Sequence, residues 1–434
     1  MENQAGRKTD LIIIGSGLAG TAAACFAVKR GLKIVQVSAT GGEMAFAGGP
    51  FDLLGVYPLN EQKVWENPWD GIDAVSRDCP KHPYSRLGKD VIREAIDRFT
   101  DFVQSAGVPY CGLPDRNVVL PTAAGTLRTS YKVPKSMWRA VAGLEQKTPT
   151  LLVDFAGMKD FSAGLMAEML KAKWPALRSA RIDFPLPFPG VDRYNPLLAE
   201  AVETSPVREK LAEAIRPYIA GAELVGMPAV LGLRGTDGIV ADLESRLEVG
   251  IFEIPTMPPS VPGMRLREAV EKELEKTGAR MIRGRKVYSA RTEARRCTGI
   301  TAGDDAWAET VEAEGVILAT GRFLGGGLVT DRQGISETIF GFPVSQPPTR
   351  EEWHRDSFLD RRGHPVNEAG LEIDDTFRPL GADGRPAFEN VFAAGSILAH
   401  QDWVRTKSGA GISIATAFGA VESFLRCRST VSNG

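Results

Sequence analysis

The sequence predicts an α/β protein: an FAD-type Rossmann, two-dinucleotide-binding domain with an inserted α/β cap or substrate domain. Three observations predict it. A strand, a glycine turn and a helix open the chain, a strand with a glycine exit occurs twice towards the other end, and between them the pattern changes to the strands and helices of another unit. The nucleotide-binding domain is accordingly expected over residues 1–102 and 255–434, and the inserted domain over 103–254.

The opening element carries the most chemistry. The apolar run Leu11-Ile12-Ile13-Ile14 leads into Gly15-Ser16-Gly17-Leu18-Ala19-Gly20 and then an alanine-rich segment as far as Arg30. In this order each glycine has a use: Gly15 permits the tight turn, Gly17 lets the backbone approach a pyrophosphate, and Gly20 lets helix and strand pack closely. The helix start then offers free N–H groups and partial positive charge to phosphates. A second strand, Ile34-Val35-Gln36-Val37-Ser38, should end near an acid that holds an adenosine ribose, but Gln36 and Ser38 occupy that neighbourhood. Either a neutral side chain holds the ribose or the adenosine half is absent.

Gly41-Gly42-Glu43-Met44-Ala45-Phe46-Ala47-Gly48-Gly49 follows, and such a density of small residues suits a backbone laid along a flat ring and its phosphates. A plain surface loop is the alternative. Val316-Ile317-Leu318-Ala319-Thr320-Gly321 reads as a buried parallel strand with a glycine exit, and Asn390-Val391-Phe392-Ala393-Ala394-Gly395-Ser396 repeats that grammar. Ser408-Gly409-Ala410-Gly411 opens a last helix through Ile412, whose dipole would favour negative charge on a reduced flavin ring.

In the middle, Leu151-Leu152-Val153-Asp154-Phe155 and Glu223-Leu224-Val225-Gly226-Met227-Pro228 are expected strands, with a helix over 162–174. Return to the first domain is expected at Pro255-Thr256-Met257-Pro258-Pro259-Ser260-Val261-Pro262-Gly263. An amphipathic helix with Leu266, Val270 and Leu274 on one stripe and a stop at Gly278 follows. Val287 then falls where a backbone would meet the adenine.

Composition narrows the function. With 434 residues and 43% hydrophobic content the chain can build two cores, and a net charge of -2 gives no global attraction to nucleic acid or an anionic surface. Residues 1–10 are polar and lack a charged-then-apolar leader, and no apolar run reaches the roughly 20 residues of a membrane span. A cytoplasmic protein is expected. The five cysteines are scattered without a C-x-x-C pair and the four histidines form no ligand pattern, so neither an iron–sulfur cluster nor any other metal site is expected. Electrons, if moved, travel on an organic cofactor.

With those segments placed, the chain resembles the B subunits of anaerobic glycerol-3-phosphate dehydrogenase, within the fumarate-reductase-like flavoprotein superfamily. The marks are His82-Pro83-Tyr84-Ser85 with Leu87-Gly88; Gly125-Thr126-Leu127-Arg128; the proline segment from Pro255 to Ser260 with Gly263 and Arg265-Leu266; Gly325-Gly326-Gly327-Leu328-Val329; and Phe392-Ala393 with Gly395-Ser396. Residues 405–411 depart from it in being basic and less glycine-rich. The superfamily brings an acid to the ribityl chain where Ser396 stands, and the neutral Ser38 and Ser396 match the B subunits, which are described as binding FMN. The glycine fingerprint favours FAD; FMN is the alternative that the resemblance implies.

The resemblance further implies a complex in which an A subunit oxidises sn-glycerol 3-phosphate, a C subunit carries iron–sulfur clusters, and quinone accepts electrons. Peripheral attachment to the inner face of the membrane would come through those partners. A flavin dehydrogenase needs a base for the leaving proton and cations for an anionic substrate, and His82, Arg128 and Arg265 of the family-like segments are the candidates. Arg265 follows a rigid proline loop that could aim it at a phosphate or carboxylate; an ordinary ion pair at a helix start is the other reading. His82, before a proline, equally suits a structural hydrogen bond. His400 and Arg405 lie near the expected flavin edge. A flavin-holding component without its own substrate and a flavin-dependent reductase of α,β-unsaturated acids are the alternatives.

Overall fold

The computed structural model describes residues 9–186, 192–304 and 307–432; most of the polar N-terminal stretch lies outside them. The chain divides into two compact units. One comprises Met1–Glu43, Asp52–Phe102 and Val270–Gly434, the other Met44–Phe51 and Val103–Ala269.

The first unit is organised by the strand Thr9–Ile14, whose β-branched Ile12 and Ile13 are fully buried because strands cover it on both edges. Parallel neighbours are Ile34–Ser38, in register Ile12 to Val35, and Glu309–Leu318, in register Ile12 to Val316. Arg280–Arg283 extends the parallel set beyond Ile34–Ser38, and Val391–Ala393 pairs with the C-terminal half of Glu309–Leu318. The N-terminal half of that long strand turns antiparallel to Arg296–Ala302, which pairs in turn with Val287–Glu293. One strand thus serves a parallel nucleotide-binding sheet at one end and a meander at the other. The alanine-rich helix Leu18–Lys29 is buried along most of its length because its small side chains admit the C-terminal helix Gly409–Ser432, with Phe26 set edge-on to Phe418 at 5.1 Å.

The second unit holds a four-stranded parallel sheet in the order Gly250–Ile254, Leu224–Pro228, Thr150–Phe155, Leu177–Ile182. Trp174, Phe155 and Phe252 are 0–1% exposed, and burial of each such side chain contributes about 1.5–3 kcal/mol. The helix expected over 162–174 is the shorter Ala163–Leu170, capped by the Ser162 side chain, which accepts from Leu165 N.

Two stretches group differently from the sequence expectation. The proline segment and the start of the helix Val261–Lys276, read as a return to the first domain, belong to the second unit, and so does 44–51. Backbone fit is the reason. Phe51 exchanges main-chain hydrogen bonds with Lys132 and stacks on Tyr110 at 4.1 Å, Ser260 N donates to Ala45 O, and a Cβ on Gly263 would lie 2.0 Å from Met44 O.

Candidate functional site

In the first unit the glycine turn has the geometry expected of a phosphate cradle. Gly15, at φ +119°, passes so close to the neighbouring strand that a Cβ would lie 2.1 Å from Ala319 O; a Cβ on Gly20 would sit 2.1 Å from Gly15 O. These two glycines are packing requirements. Gly17 differs, since a Cβ there would meet nothing within 4 Å. It is the N-cap of Leu18–Lys29, it makes no side-chain cap, and the first turn, Leu18, Ala19 and Gly20, holds no acid. Open space before an uncapped helix start is what a phosphate needs. Ser16 Oγ donates to Thr40 O, and Gly42, at φ +71°, lies against Ser16 and Gly17, where a Cβ would be 2.4 Å from Ser16 O. Gly41 immediately precedes it.

Gln36, read as a neighbour of the ribose, is turned inward. Its Nε2 donates to Gly15 O at 2.9 Å and braces the turn. Ser38 stays at the strand end, its carbonyl accepting from Arg285 N, which brings the chain just before Val287 beside it. Val287 itself is 4% exposed and paired with Ala302.

The two glycine-exit strands bring their turns together. Gly321 lies so that its Cβ would be 3.6 Å from Ser396 Oγ, Gly395 N donates to Thr416 Oγ1, and Thr320 Oγ1 is buried without a hydrogen-bond partner. A buried orphan hydroxyl between such turns fits an absent polar group. Gly409 and Gly411 have another explanation: their Cβ atoms would strike the Trp403 ring and the Tyr84 hydroxyl, and Gly411 N is taken by Asp52 O. Ala410 lies between them and Ile412 is in the core.

In the second unit, Gly48 lies where a Cβ would be 3.4 Å from Pro255 and 3.7 Å from Arg128 Nη1, and Gly49, at φ +100°, packs on Pro262. Ala47 N closes a turn onto Met44 O. Arg128 thus reaches the glycine-rich loop. Arg265 does not aim outward. Its Nη1 and Nη2 each donate to Glu253 at 3.0 Å, Nε and Nη2 donate to Gly232 O at 3.0 and 2.7 Å, and the pair is 5% and 0% exposed. Although burial pushes the Glu253 carboxyl up, Arg265 outweighs it and holds the group below its ordinary range.

His82 caps the turn Pro83–Arg86, its Nδ1 accepting from Tyr84 N. Burial, with the nearby His400, lowers it to about 3, so the ring is neutral near pH 7. His400, at φ +62°, is held by Glu372 at 2.9 Å, which also binds Lys81. Arg405 pairs with Asp402, the cap of its own short helix. Arg322 went unremarked in the sequence, and its place directly after Thr320 and Gly321 was the available signal. It donates to the carbonyls of Ser396, Asn367, Leu398 and Gln401.

A family model described as an FAD binding domain matches residues 10–412. A Halobacterium salinarum protein, named as a probable B subunit of anaerobic glycerol-3-phosphate dehydrogenase, is 32% identical over 95% of this chain and 97% of its own. The chain belongs to that family of B subunits. The Vibrio vulnificus member, a B subunit of the same name, is 28% identical over 98% of both chains. Among solved structures, a flavocytochrome c3 fumarate reductase is similar at 9% identity and a TM-score of 0.45, over 98% of this chain and 79% of that one.

Members of this family are flavin-dependent oxidoreductase components, and FAD is the favoured cofactor here. The residues present fit it. The Leu18–Lys29 helix start can hold the phosphates, and Thr320, Gly321, Gly395 and Ser396 offer backbone and hydroxyl groups to the chain joining phosphate and ring. As a B subunit, the chain has partner subunits. Among the described residues no helix is long and apolar enough to cross a membrane.

Proposed function

We propose that this chain is the flavin-holding B subunit of a glycerol-3-phosphate:quinone oxidoreductase, passing electrons from sn-glycerol 3-phosphate or a related small anionic substrate towards quinone. The uncapped Gly17 helix start, with room for a phosphate before it, is the observation that carries the reading. Bound flavin would supply two-electron chemistry divisible into single-electron steps. The helix start anchors phosphates by its N–H groups. Ser38 and the chain near Val287 line the adenosine side. Arg128, beside Gly48, offers a guanidinium to a substrate phosphate. The partners are a catalytic flavoprotein A subunit and an iron–sulfur C subunit, which bring the chain to the inner face of the cell membrane.

A second reading rests on the commitment of Arg265 to Glu253 and of His82 to a turn. Two of three candidate catalytic side chains thereby serve the fold, which favours a component that relays electrons without turning over substrate. Rapid mixing of the flavin-loaded chain with sn-glycerol 3-phosphate separates the two. Bleaching of the flavin absorbance by the chain alone supports the first, and bleaching only after the A subunit is added supports the second. Absence of bleaching in the complete complex refutes both.

A further inference from the structure

Arg322 stands one residue beyond the turn of Thr320 and Gly321, and its side chain gathers main-chain carbonyls from two other segments. Nε donates to Ser396 O at 2.6 Å, Nη2 to Leu398 O at 3.1 Å and Gln401 O at 3.0 Å, and Nη1 to Asn367 O. Four of the five N–H groups of one guanidinium are used on backbone. A single side chain therefore fixes the path from Ser396 to Gln401 against the turn of Thr320 and Gly321.

Bracing alone does not require a full charge. Among the described residues no carboxylate lies within ion-pair distance of Arg322. Asp402 and Glu368 act on it only through space, and Asp402 is already bound by Asn367 Nδ2 at 2.9 Å and Arg405 Nη1 at 3.3 Å. A buried cation solvated by carbonyl dipoles keeps a desolvation cost that an ion pair would partly offset. Burial lowers its pKa only to about 10, so the charge persists at neutral pH. The positive charge has no counter-ion in contact, and it sits directly behind Ser396 and the orphaned Thr320 hydroxyl.

We propose that Arg322 is a positioning residue of the flavin site and also its resident cation: the guanidinium sets the turn that carries Ser396 and biases bound flavin towards its reduced, more negative state. Electrostatics gives the sign, since a fixed positive charge in a poorly solvated site favours whichever ligand state carries more negative charge. A single buried charge near the ring supplies a preference of about tenfold.

The test uses the flavin-loaded chain without substrate or partner subunits, so it stands apart from the assignment of substrate. Flavin affinity is read by fluorescence quenching and the midpoint potential by a reductive titration, for wild type, Arg322→Met and Arg322→Lys. In Arg322→Met the preference for reduced over oxidised flavin should fall about tenfold, a drop of about 30 mV for a two-electron couple. Arg322→Lys keeps the charge but not the fork. It should bind flavin about tenfold more weakly while keeping the wild-type preference within about twofold.

An unchanged midpoint in a flavin-loaded Arg322→Met overturns the charge role, and unchanged affinity in both variants overturns the positioning role. Should Arg322→Met fail to fold by circular dichroism, Arg322→Lys decides. Retention of the preference supports the proposal, and a tenfold loss with the charge still present refutes it.

Discussion

Replacing Arg265 by methionine should destabilise the second unit without touching flavin. Glu253, fully buried, would lose both guanidinium bonds and keep only Leu231 N, which donates to Oε1 at 2.7 Å, and Gly232 O would lose both of its Arg265 donors. Breaking one side of a buried pair costs about 3–5 kcal/mol because a charge is left uncompensated. At roughly 2–4 °C per kcal/mol for a unit of this size, the melting step falls by roughly 6–20 °C. Urea denaturation followed by tryptophan fluorescence reads it, since Trp174 is 1% exposed in that unit's core. The double variant Arg265→Met with Glu253→Leu should recover most of the loss, because two apolar side chains leave no orphan charge. A single variant less than about 1 kcal/mol below wild type, with weakened binding of an anionic substrate, would refute the structural assignment of this guanidinium.

Other perturbations probe other parts. Gly17→Val should fold normally, because its side chain enters open space, yet lose flavin absorbance by filling the phosphate position; full absorbance would overturn the cradle. Arg128→Ala should weaken an anionic substrate by roughly 1.5–3 kcal/mol if the charge-assisted bond is buried, with flavin content unchanged; loss of flavin instead would assign Arg128 to the cofactor. His82 is lowered from 6.5 to about 3, so the unfolded chain binds its proton first on acidification. Stability from this group is therefore present above pH 6.5 and lost as pH falls towards 3, by up to about 1.4 kcal/mol per unit. In His82→Asn, which keeps an acceptor for Tyr84 N, chemical denaturation at stepped pH should show a shallower decline; an unchanged slope removes His82 as its source.

What the sequence disclosed was local. The Leu11 to Ile14 run, the glycine turn and the alanine-rich helix lie within about 20 consecutive residues, so hydrophobic period and turn chemistry suffice to read them. Leu177–Ile182 was missed because an edge strand bearing Arg178 and Arg181 shows little apolar signal. The fate of Arg265 depended on Glu253 in another element, and that of Gln36 on a carbonyl 21 residues earlier. A charged side chain near a predicted site looks the same in sequence whether it faces ligand or core. Arg322 shows the converse: its partners are all backbone, and backbone acceptors leave no mark in a sequence at all.

The stitching of 44–51 into the second unit bears on how the protein is made. The polypeptide crosses between its two units four times, and the central strand Thr9–Ile14 pairs with Glu309–Leu318, about 300 residues later. At roughly 5–20 residues per second, that strand waits on the order of 15–60 s after synthesis for one of its flanking partners. The second unit has all its segments once residue 269 is out, so it can close while the first is still missing an edge. Birth order therefore inverts chain order: the nucleotide-binding unit begins first and finishes last, with Thr9–Ile14 carrying an unpaired edge throughout the interval, a natural client for chaperones.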